Sequence, residues 1–239
     1  MKLDEIKKLH QKKYRQQFGH YLVEGEHLVL ELQKAAQKDA RLRSSKVYVT
    51  AERERWQTPF ELHVISNRHM DAMTETENPQ GIVALVPMIA PSAPQAGEQA
   101  IYLHEAQDPG NLGTILRTLA WFGNFRCLLS PGSVDPYNSK VLRASMGAIF
   151  HVAVEVDVAI YALRSRFDRV ACLDMQGERV SSADFKDFPC YVFGNEARGL
   201  PRSMIEEFGM KRFTIPGSGA IESLNLASTV NMCAYEIRR

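Results

Sequence analysis

Apolar and polar residues alternate in short blocks from residue 100 to the end of the chain, and the blocks predict strands and helices in turn. We predict strands at 101–103, 127–129, 152–154 and 170–173, and helices at 112–122, 141–147, 158–166 and from residue 224, with Ser223 as the N-cap. Two more apolar strands run into polar turns at 194–200 and 215–225. This alternation predicts an α/β fold with a mostly parallel sheet covered by helices on both faces.

The first ninety residues predict a smaller α/β unit. An amphipathic helix carries Leu28, Leu32 and Ala35 on one side, and β-rich runs follow at 47–49, 62–65 and 82–86. The segment 87–99 is rich in proline and small residues, as interdomain linkers are. We therefore predict a domain at 1–88, a linker at 89–99 and a second domain at 100–239.

Basic residues crowd the beginning of the chain, where Leu3, Ile6 and Leu9 recur at helical spacing. The basic set is Lys2, Lys7, Lys8, Lys12, Lys13 and Arg15. This pattern fits a solvated helix face and equally a contact with an RNA backbone.

Composition narrows the possible partners and compartments. The 239 residues carry a net charge of +1, so nucleic-acid binding would need local patches or a dimer rather than a global basic field. The four cysteines form no C-x-x-C pair, which argues against a zinc knuckle and predicts reduced, buried thiols. With a charged beginning and no long apolar run, we expect a cytoplasmic protein that does not enter a membrane.

The histidines of the first domain predict no metal site. They lack carboxylate or cysteine partners at ligand spacing in the sequence, so we assign them no chemistry and expect no bound metal; they are His10, His20, His27, His63 and His69.

The polar turns after the strands are the candidate ligand site, because open α/β sheets bind ligands at the carboxyl ends of their strands. Gly217-Ser218-Gly219 is not a dinucleotide fingerprint, since Glu222 stands where the third glycine belongs. Arg117 lies off the apolar stripe of its helix, and taken alone it fits a solvated side chain better than a functional one.

Three motifs taken together resemble the SpoU (TrmH-type) family of AdoMet-dependent RNA 2'-O-ribose methyltransferases, within the SPOUT superfamily. The first runs from Asn111 to Arg117, the second is Gly194-Asn195-Glu196-x-x-Gly199-Leu200, and the third runs from Ile215-Pro216 to Ser223-Leu224-Asn225. Supporting similarity spans 134–141 and 143–148. Residues 1–88 are similar to the L30e-like substrate-binding domain that often precedes this domain.

The resemblance implies a C-terminal trefoil knot, although knots are rare in proteins generally. It implies that S-adenosylmethionine (AdoMet) is the cofactor, contacted by Gly194, Ile215 and Leu224 mainly through backbone groups. It also implies a homodimer and assigns catalytic roles to Asn111, Arg117, Glu196, Ser223 and Asn225.

In that family Arg117 is the candidate for helping to deprotonate the ribose hydroxyl. A guanidinium is almost never neutral, so we prefer Arg117 as a stabiliser of the developing alkoxide and an anchor for the adjacent phosphate. Glu196 would then orient Arg117 or a neighbouring backbone group. Asn111, Ser223 and Asn225 would position hydroxyl, phosphate or backbone.

Two departures from the family pattern stand in the third motif. Gly217 occupies a position where methionine is frequent, and Leu226-Ala227 replaces the usual Val-Ser. We expect these two departures to affect the geometry of cofactor binding more than the activity.

The expected substrate is ribosomal RNA, favoured over transfer RNA by the L30e-like domain. The alternative of another class is an RNA-binding dimer without catalysis that assists ribosome assembly.

Overall fold

The computed structural model describes all 239 residues. They form two compact units, one of residues 1–90 with 137–151 and the other of residues 91–136 with 152–239. The chain first passes from one unit to the other between Ala90 and Pro91, which lies within the predicted linker.

The first unit is a four-stranded sheet flanked by helices. Its elements are α1 (Leu3–Ile6), α2 (Lys12–Phe18), β1 (His20–Glu24), α3 (Glu26–Lys38), β2 (Lys46–Val49), β3 (Glu61–Val64), α4 (Asn67–Met73) and β4 (Ile82–Pro87). The strand order is β1-β4-β2-β3, antiparallel except for the parallel pair of β2 and β3. The amphipathic helix is confirmed as α3, with Leu28, Leu32 and Ala35 buried. Strand β1 was not predicted.

The second unit continues with β5 (Gln99–Leu103), α5 (Pro109–Phe122) and β6 (Phe125–Leu129). Helix α6 (Ser139–Ser145) follows and belongs to the first unit. The remaining elements are β7 (Ala153–Glu155), α7 (Leu163–Arg166), β8 (Val170–Arg179), β9 (Cys190–Phe193), α8 (Arg202–Phe208), β10 (Lys211–Thr214) and α9 (Leu226–Arg238).

Helix α6 packs within the first unit through several side chains. The ring of Tyr137, just before it, packs against Tyr21 of β1, with ring centroids 4.6 Å apart and planes tilted by 40°. The Ser139 hydroxyl donates to Glu75. The sequence of 137–151 does not predict this packing, because its partners in the first unit lie more than sixty residues earlier in the chain.

All six strands of the second unit run parallel, in the order β10-β8-β9-β5-β6-β7, which confirms the predicted parallel sheet. Both faces of the central strand β5 are buried. Tyr102 packs with Leu163 of α7 and Ile205 of α8. Ile101 and Leu103, which point the other way, are also fully buried.

Several predicted helix boundaries differ from the structure, among them those of α5 and of the helix predicted at 158–166. Helix α5 begins at Pro109 rather than at residue 112, because Asp108 is the N-cap and its Oδ1 accepts the N–H of Asn111 at 2.7 Å. The predicted helix at 158–166 is a 3₁₀ turn at Ile160–Ala162 followed by the four-residue α7.

A buried ion-pair network ties β6 to β7. Arg126 is 3% exposed, and its guanidinium donates to Glu98 at 2.9 Å and to Glu155 at 2.5 Å. Burial acts to raise the pKa of Glu155, but hydrogen bonds from Arg166 and Arg126 outweigh it and lower that pKa. The ionised carboxylate of Glu155 therefore stabilises the folded sheet.

All four cysteines are free and buried, as predicted. Burial raises the pKa of the Cys127 thiol to about 12, so it stays protonated at neutral pH. None of the helices combines the length and the apolar character that a bilayer-spanning segment requires.

Candidate active site

The loops that follow β5 and β9 start side by side at the carboxyl edge of the sheet. Leu103 and Phe193, the last residues of these strands, are paired in register. Immediately beyond them, the N–H of His104 donates to the carbonyl of Phe193 at 2.9 Å. The first and second sequence motifs are therefore neighbours in space, as the parallel arrangement predicts.

Asn195 shapes the turn of the second motif. Its backbone exchanges two hydrogen bonds with Gly199, of 3.1 and 2.9 Å. Its side-chain Oδ1 accepts the N–H groups of Ala197 and Arg198, and its Nδ2 donates to the carbonyl of Glu105 at 2.8 Å. Asn195 is 8% exposed, so these bonds are shielded from water. From the sequence, Asn195 was predicted only as a member of the motif; its position after glycine in a turn is the local signal for such a role.

Gly194 lies where the backbone of the turn passes closest to itself. A Cβ at this position would lie 2.3 Å from the carbonyl carbon of Gly199 and 2.6 Å from the amide nitrogen of Leu200. These are backbone atoms, which cannot rotate away as a side chain can. Only glycine fits here, so the turn requires it for packing whether or not Gly194 also touches a ligand.

Glu196 binds the loop of the first motif. Its Oε1 accepts the backbone N–H groups of Gln107 and Asp108, at 3.3 and 3.2 Å, and the Nδ2 group of Asn111 at 3.3 Å. Of the two partners considered for Glu196, backbone groups and Arg117, the structure shows the backbone groups. This carboxylate lies near the N-terminus of α5, where negative charge is favoured by the helix dipole.

Asn225 connects the third motif to the first two. Its Nδ2 donates to Oδ1 of Asn111 at 2.9 Å, while Asn111 donates to Glu196. The Oδ1 of Asn225 accepts the N–H of Ser228 at 3.2 Å, which makes Asn225 the N-cap of α9. One side-chain network, Glu196–Asn111–Asn225, thus joins all three motifs.

The prediction that Ser223 is the N-cap of the last helix is wrong. Ser223 is exposed and lies two residues before the true cap, because α9 begins at Leu226 rather than near residue 224. Both Ser and Asn are good N-cap residues, so the local sequence could not decide between them. The structure does not bring Ser223 into the side-chain network.

Arg117 also stands apart from that network. It is exposed and makes no hydrogen bond or ion pair within the chain. It lies six residues beyond Asn111 on α5, about 9 Å along the helix axis. Its guanidinium is therefore free to contact a molecule from outside the chain.

The loop between β10 and α9 presents backbone and apolar groups together. From Ile215 to Leu224 the one hydrogen bond within the chain runs from Ala220 N–H to Ser218 Oγ, at 3.4 Å. Ile221 is 70% exposed and Leu224 is 43% exposed. Unpaired amide groups beside apolar side chains suit a ligand that has both hydrogen-bonding edges and flat apolar faces.

A bulge in β8 adjoins this loop and was not predicted. The pairing of β8 with β10 jumps from Cys172 opposite Arg212 to Glu178 opposite Phe213, so residues 173–177 have no paired residue in β10. The Thr214 hydroxyl, at the end of β10, donates to the carbonyl of Met175 at 3.3 Å. The bulge therefore adds a wall beside the start of the third motif.

His104 and Arg198 lie in the first two loops and differ in charge. Burial is the main cause that lowers the pKa of His104, and its Nδ1 is buried without a partner, so the ring is neutral at neutral pH. Arg198 pairs with Glu105 at 2.6 Å, but both side chains are well exposed, and such pairs contribute little stability.

Folding brings His10 close to two carboxylates, which the sequence spacing did not indicate. Ligand atoms of His10, Glu24 and Glu75 lie within 4.8 Å of one another. Arg143 Nη1 lies 4.0 Å from Glu24 Oε2, and Ser139 donates to Glu75, so the negative charge here has protein partners. We assign this group to the packing of α6 within the first unit.

Comparisons with known proteins agree with the three motifs. Residues 98–235 match the family model described as the SpoU rRNA methylase family, and residues 1–84 match an MRM3-like substrate binding domain. The chain is 32% identical, over 99% of its length and 96% of the relative's, to the 23S rRNA (guanosine(2553)-2'-O)-methyltransferase RlmP of Bacillus subtilis.

Solved structures of RNA methyltransferases are also similar to this chain. An AdoMet-bound rRNA methyltransferase from Sinorhizobium meliloti has a TM-score of 0.81 and 26% identity, covering 99% of this chain and 93% of the other. A proposed RNA methyltransferase of the TrmH family from Porphyromonas gingivalis has a TM-score of 0.82 and 29% identity, covering 99% of this chain and 96% of the other.

Proposed function

The chain belongs to the SpoU rRNA methylase family, and from that premise we propose that it transfers a methyl group from AdoMet to a ribose 2'-hydroxyl of RNA. The observation that carries this proposal is the network Glu196–Asn111–Asn225, which ties the three motifs into one site. Since the three residues come from distant parts of the chain, their convergence is specific to the folded site.

The residues at the carboxyl edge fit AdoMet. When bound, AdoMet supplies an electrophilic methyl group on a sulfonium. The unpaired backbone groups of 215–224 offer donors and acceptors to an adenine or a carboxylate, and Ile221 and Leu224 offer apolar contact. We assign cofactor contacts to Gly194, Ile215 and Leu224, and add the bulge at 173–177 as an adjoining wall.

Arg117 is proposed as the residue that acts on the RNA. Its guanidinium has no partner in the chain and can bind the phosphate next to the target ribose while stabilising the alkoxide that forms on its 2'-oxygen. The phosphate or water can accept the proton, so Arg117 need not become neutral. Asn111, Glu196 and Asn225 act by fixing the loop around the reacting groups, and Ser223 positions the hydroxyl or phosphate from its exposed loop.

The substrate we favour is ribosomal RNA. The match of residues 1–84 to a substrate binding domain and the full-length similarity to a 23S rRNA methyltransferase support this choice over transfer RNA. An RNA-binding protein without catalysis is less well supported, because such a protein would have no need of the Glu196–Asn111–Asn225 network.

We further propose the architecture that the family implies: an L30e-like domain at 1–88, a linker at 89–99, a catalytic domain at 100–239 and a C-terminal trefoil knot. A homodimer is supported by aromatic and apolar side chains exposed on α5 and α9, namely Trp121 at 84%, Tyr235 at 55% and Met232 at 46%. The four free cysteines agree with a cytoplasmic protein.

Labelled AdoMet incubated with separate pools of unmodified ribosomal and transfer RNA tests the proposal. We expect label in ribosomal RNA, and we expect Arg117→Ala to lower transfer by roughly 10²-fold or more while AdoMet affinity stays nearly unchanged. Arg117→Lys is the matched control: it keeps the charge but loses the planar fork, so its activity should be intermediate. Turnover of Arg117→Ala near that of the wild type would refute the role of Arg117. Label in neither pool, although AdoMet binds, would favour the non-catalytic alternative.

A further inference from the structure

The start of the chain concentrates positive charge that the rest of the chain lacks. Its first fifteen residues hold six basic and two acidic side chains, a formal charge of +4. Because the whole chain carries +1, the other 224 residues together carry −3. A local field of this kind attracts an anionic partner even though the net charge is near zero.

Two of these lysines lie over an aromatic ring. The Nζ atoms of Lys8 and Lys13 lie 5.6 and 5.7 Å from the ring centroid of Tyr14. Tyr14 in turn stacks on Phe18, with ring centroids 6.1 Å apart and planes within 14°. Since cation–π contacts restrict the long lysine side chains, less conformational entropy is lost when they bind a ligand.

Arg15 is buried beneath this surface and is not part of it. The sequence placed Arg15 with the basic residues of one face, but it is 4% exposed. Its Nη1 donates to the carbonyls of Leu9 and His10, at 2.7 and 2.8 Å. These bonds fix the corner between the 3₁₀ turn at Lys7–His10 and α2, where Lys12 and Lys13 face the solvent.

Lys7 also lines a concave region that carries two basic side chains and one acidic side chain. A cavity of about 870 Å³ is lined by Lys7, Ser66, Arg68, His69, Asp71 and Ala72. Lys7 precedes Lys8 in the chain, and its Nζ lies 3.3 Å from Oδ1 of the exposed Asp4, a weak surface pair that a phosphate can replace. Arg68 and His69 add hydrogen-bond donors that can reach an anion.

We propose that Lys8, Lys12 and Lys13, together with Lys7 and Arg68 at the cavity, bind the sugar–phosphate backbone of the substrate RNA. This inference rests on the proposed function and names the surface of the first unit that holds the substrate. The contacts are cationic side chains rather than groups aimed at base edges, so binding here is independent of sequence and depends on salt. The exposed lysines on a surface with few apolar groups favour RNA over a protein partner.

The test compares two double variants of the full-length protein that remove the same charge. Lys8→Ala/Lys13→Ala removes the two ordered lysines, and Lys38→Ala/Lys186→Ala removes two exposed lysines elsewhere. Affinity for an unmodified 23S ribosomal RNA transcript is measured over a range of salt concentrations. Methyl transfer to that transcript, AdoMet affinity and thermal melting are measured in parallel.

We expect Lys8→Ala/Lys13→Ala to weaken RNA binding about tenfold and to reduce the slope of log K against log salt by about 1.4 to 1.8. The KM for RNA should rise while kcat and AdoMet affinity stay unchanged, and the control should match the wild type. If both variants bind RNA with the same affinity and slope, or if the wild type binds no RNA, the surface is refuted. If only the first variant loses affinity but the wild type transfers no methyl group, the surface stands and the proposed activity fails.

Discussion

Replacing Gly194 with alanine should distort the turn that carries the second motif. The added Cβ would lie 2.3 Å from the carbonyl carbon of Gly199, whereas ordinary contact begins at 3.4 Å. The backbone strands of the turn would therefore have to separate by about 1 Å. That movement would break the pair of hydrogen bonds between Asn195 and Gly199.

The expected cost follows from these two effects. Two backbone hydrogen bonds contribute about 2 kcal/mol together, and overpacking against rigid atoms costs about 1–3 kcal/mol. The variant should lose about 3–5 kcal/mol, which corresponds to roughly 10 °C in the melting temperature of a protein of this size. AdoMet affinity should fall about tenfold or more, because the turn lies beside the loop assigned to the cofactor.

Two other glycines provide matched controls for thermal melting, while AdoMet affinity is compared with that of the wild type by calorimetric titration. A Cβ at Gly217 would meet no atom within 4 Å, so Gly217→Ala should change stability by about 0.5 kcal/mol or less. Gly199 has an equally open environment but a φ of +63°, so Gly199→Ala should cost about 1–2 kcal/mol through strain alone. If Gly194→Ala melts as Gly217→Ala does and binds AdoMet as the wild type does, the steric reasoning is wrong.

Two further variants test the sheet and the proposed dimer. The pKa of Glu155 is lowered in the folded protein, so its stabilisation is present above its unfolded pKa of about 4.3 and is lost as the pH falls through the folded value. Denaturant unfolding should therefore show Glu155→Gln less stable than the wild type by about 2 kcal/mol at pH 7, with the difference shrinking below pH 4; a constant difference would contradict this account. Trp121→Glu should convert a dimer to a folded monomer in light-scattering measurements, whereas Val64→Glu, at another exposed apolar position, should not; an unchanged oligomer in Trp121→Glu would exclude this face.

Much of the second unit was predictable because its signals are local. Apolar runs such as 101–103 and 127–129 are long enough to form buried strands, and their alternation with helices requires parallel pairing. The amphipathic α3 was predictable for the same reason, since its buried residues recur with the helical period. Helix ends were less certain, because Asp108 and Asn225 each compete with neighbouring residues that can also cap a helix.

The geometry around the three motifs was only partly predictable from the sequence. The family resemblance named Asn111, Glu196 and Asn225 together, and the structure joins these three residues by hydrogen bonds. Spacing alone did not show that Glu196 binds the loop before α5 rather than Arg117, or that Asn195 holds its own turn together. These partners depend on how two loops meet in space.

The sequence by itself determined the alternation of strands and helices, the three motifs and the excess of positive charge in the first fifteen residues, since each is a pattern over a few neighbouring positions. Only the tertiary structure decided that Arg15 is buried beneath that charge, that residues 137–151 pack with the first unit and that β8 bulges beside β10. The physical reason is that these features depend on contacts between distant segments. Which atoms are shielded from water, and which groups find partners, is fixed only when those segments pack together.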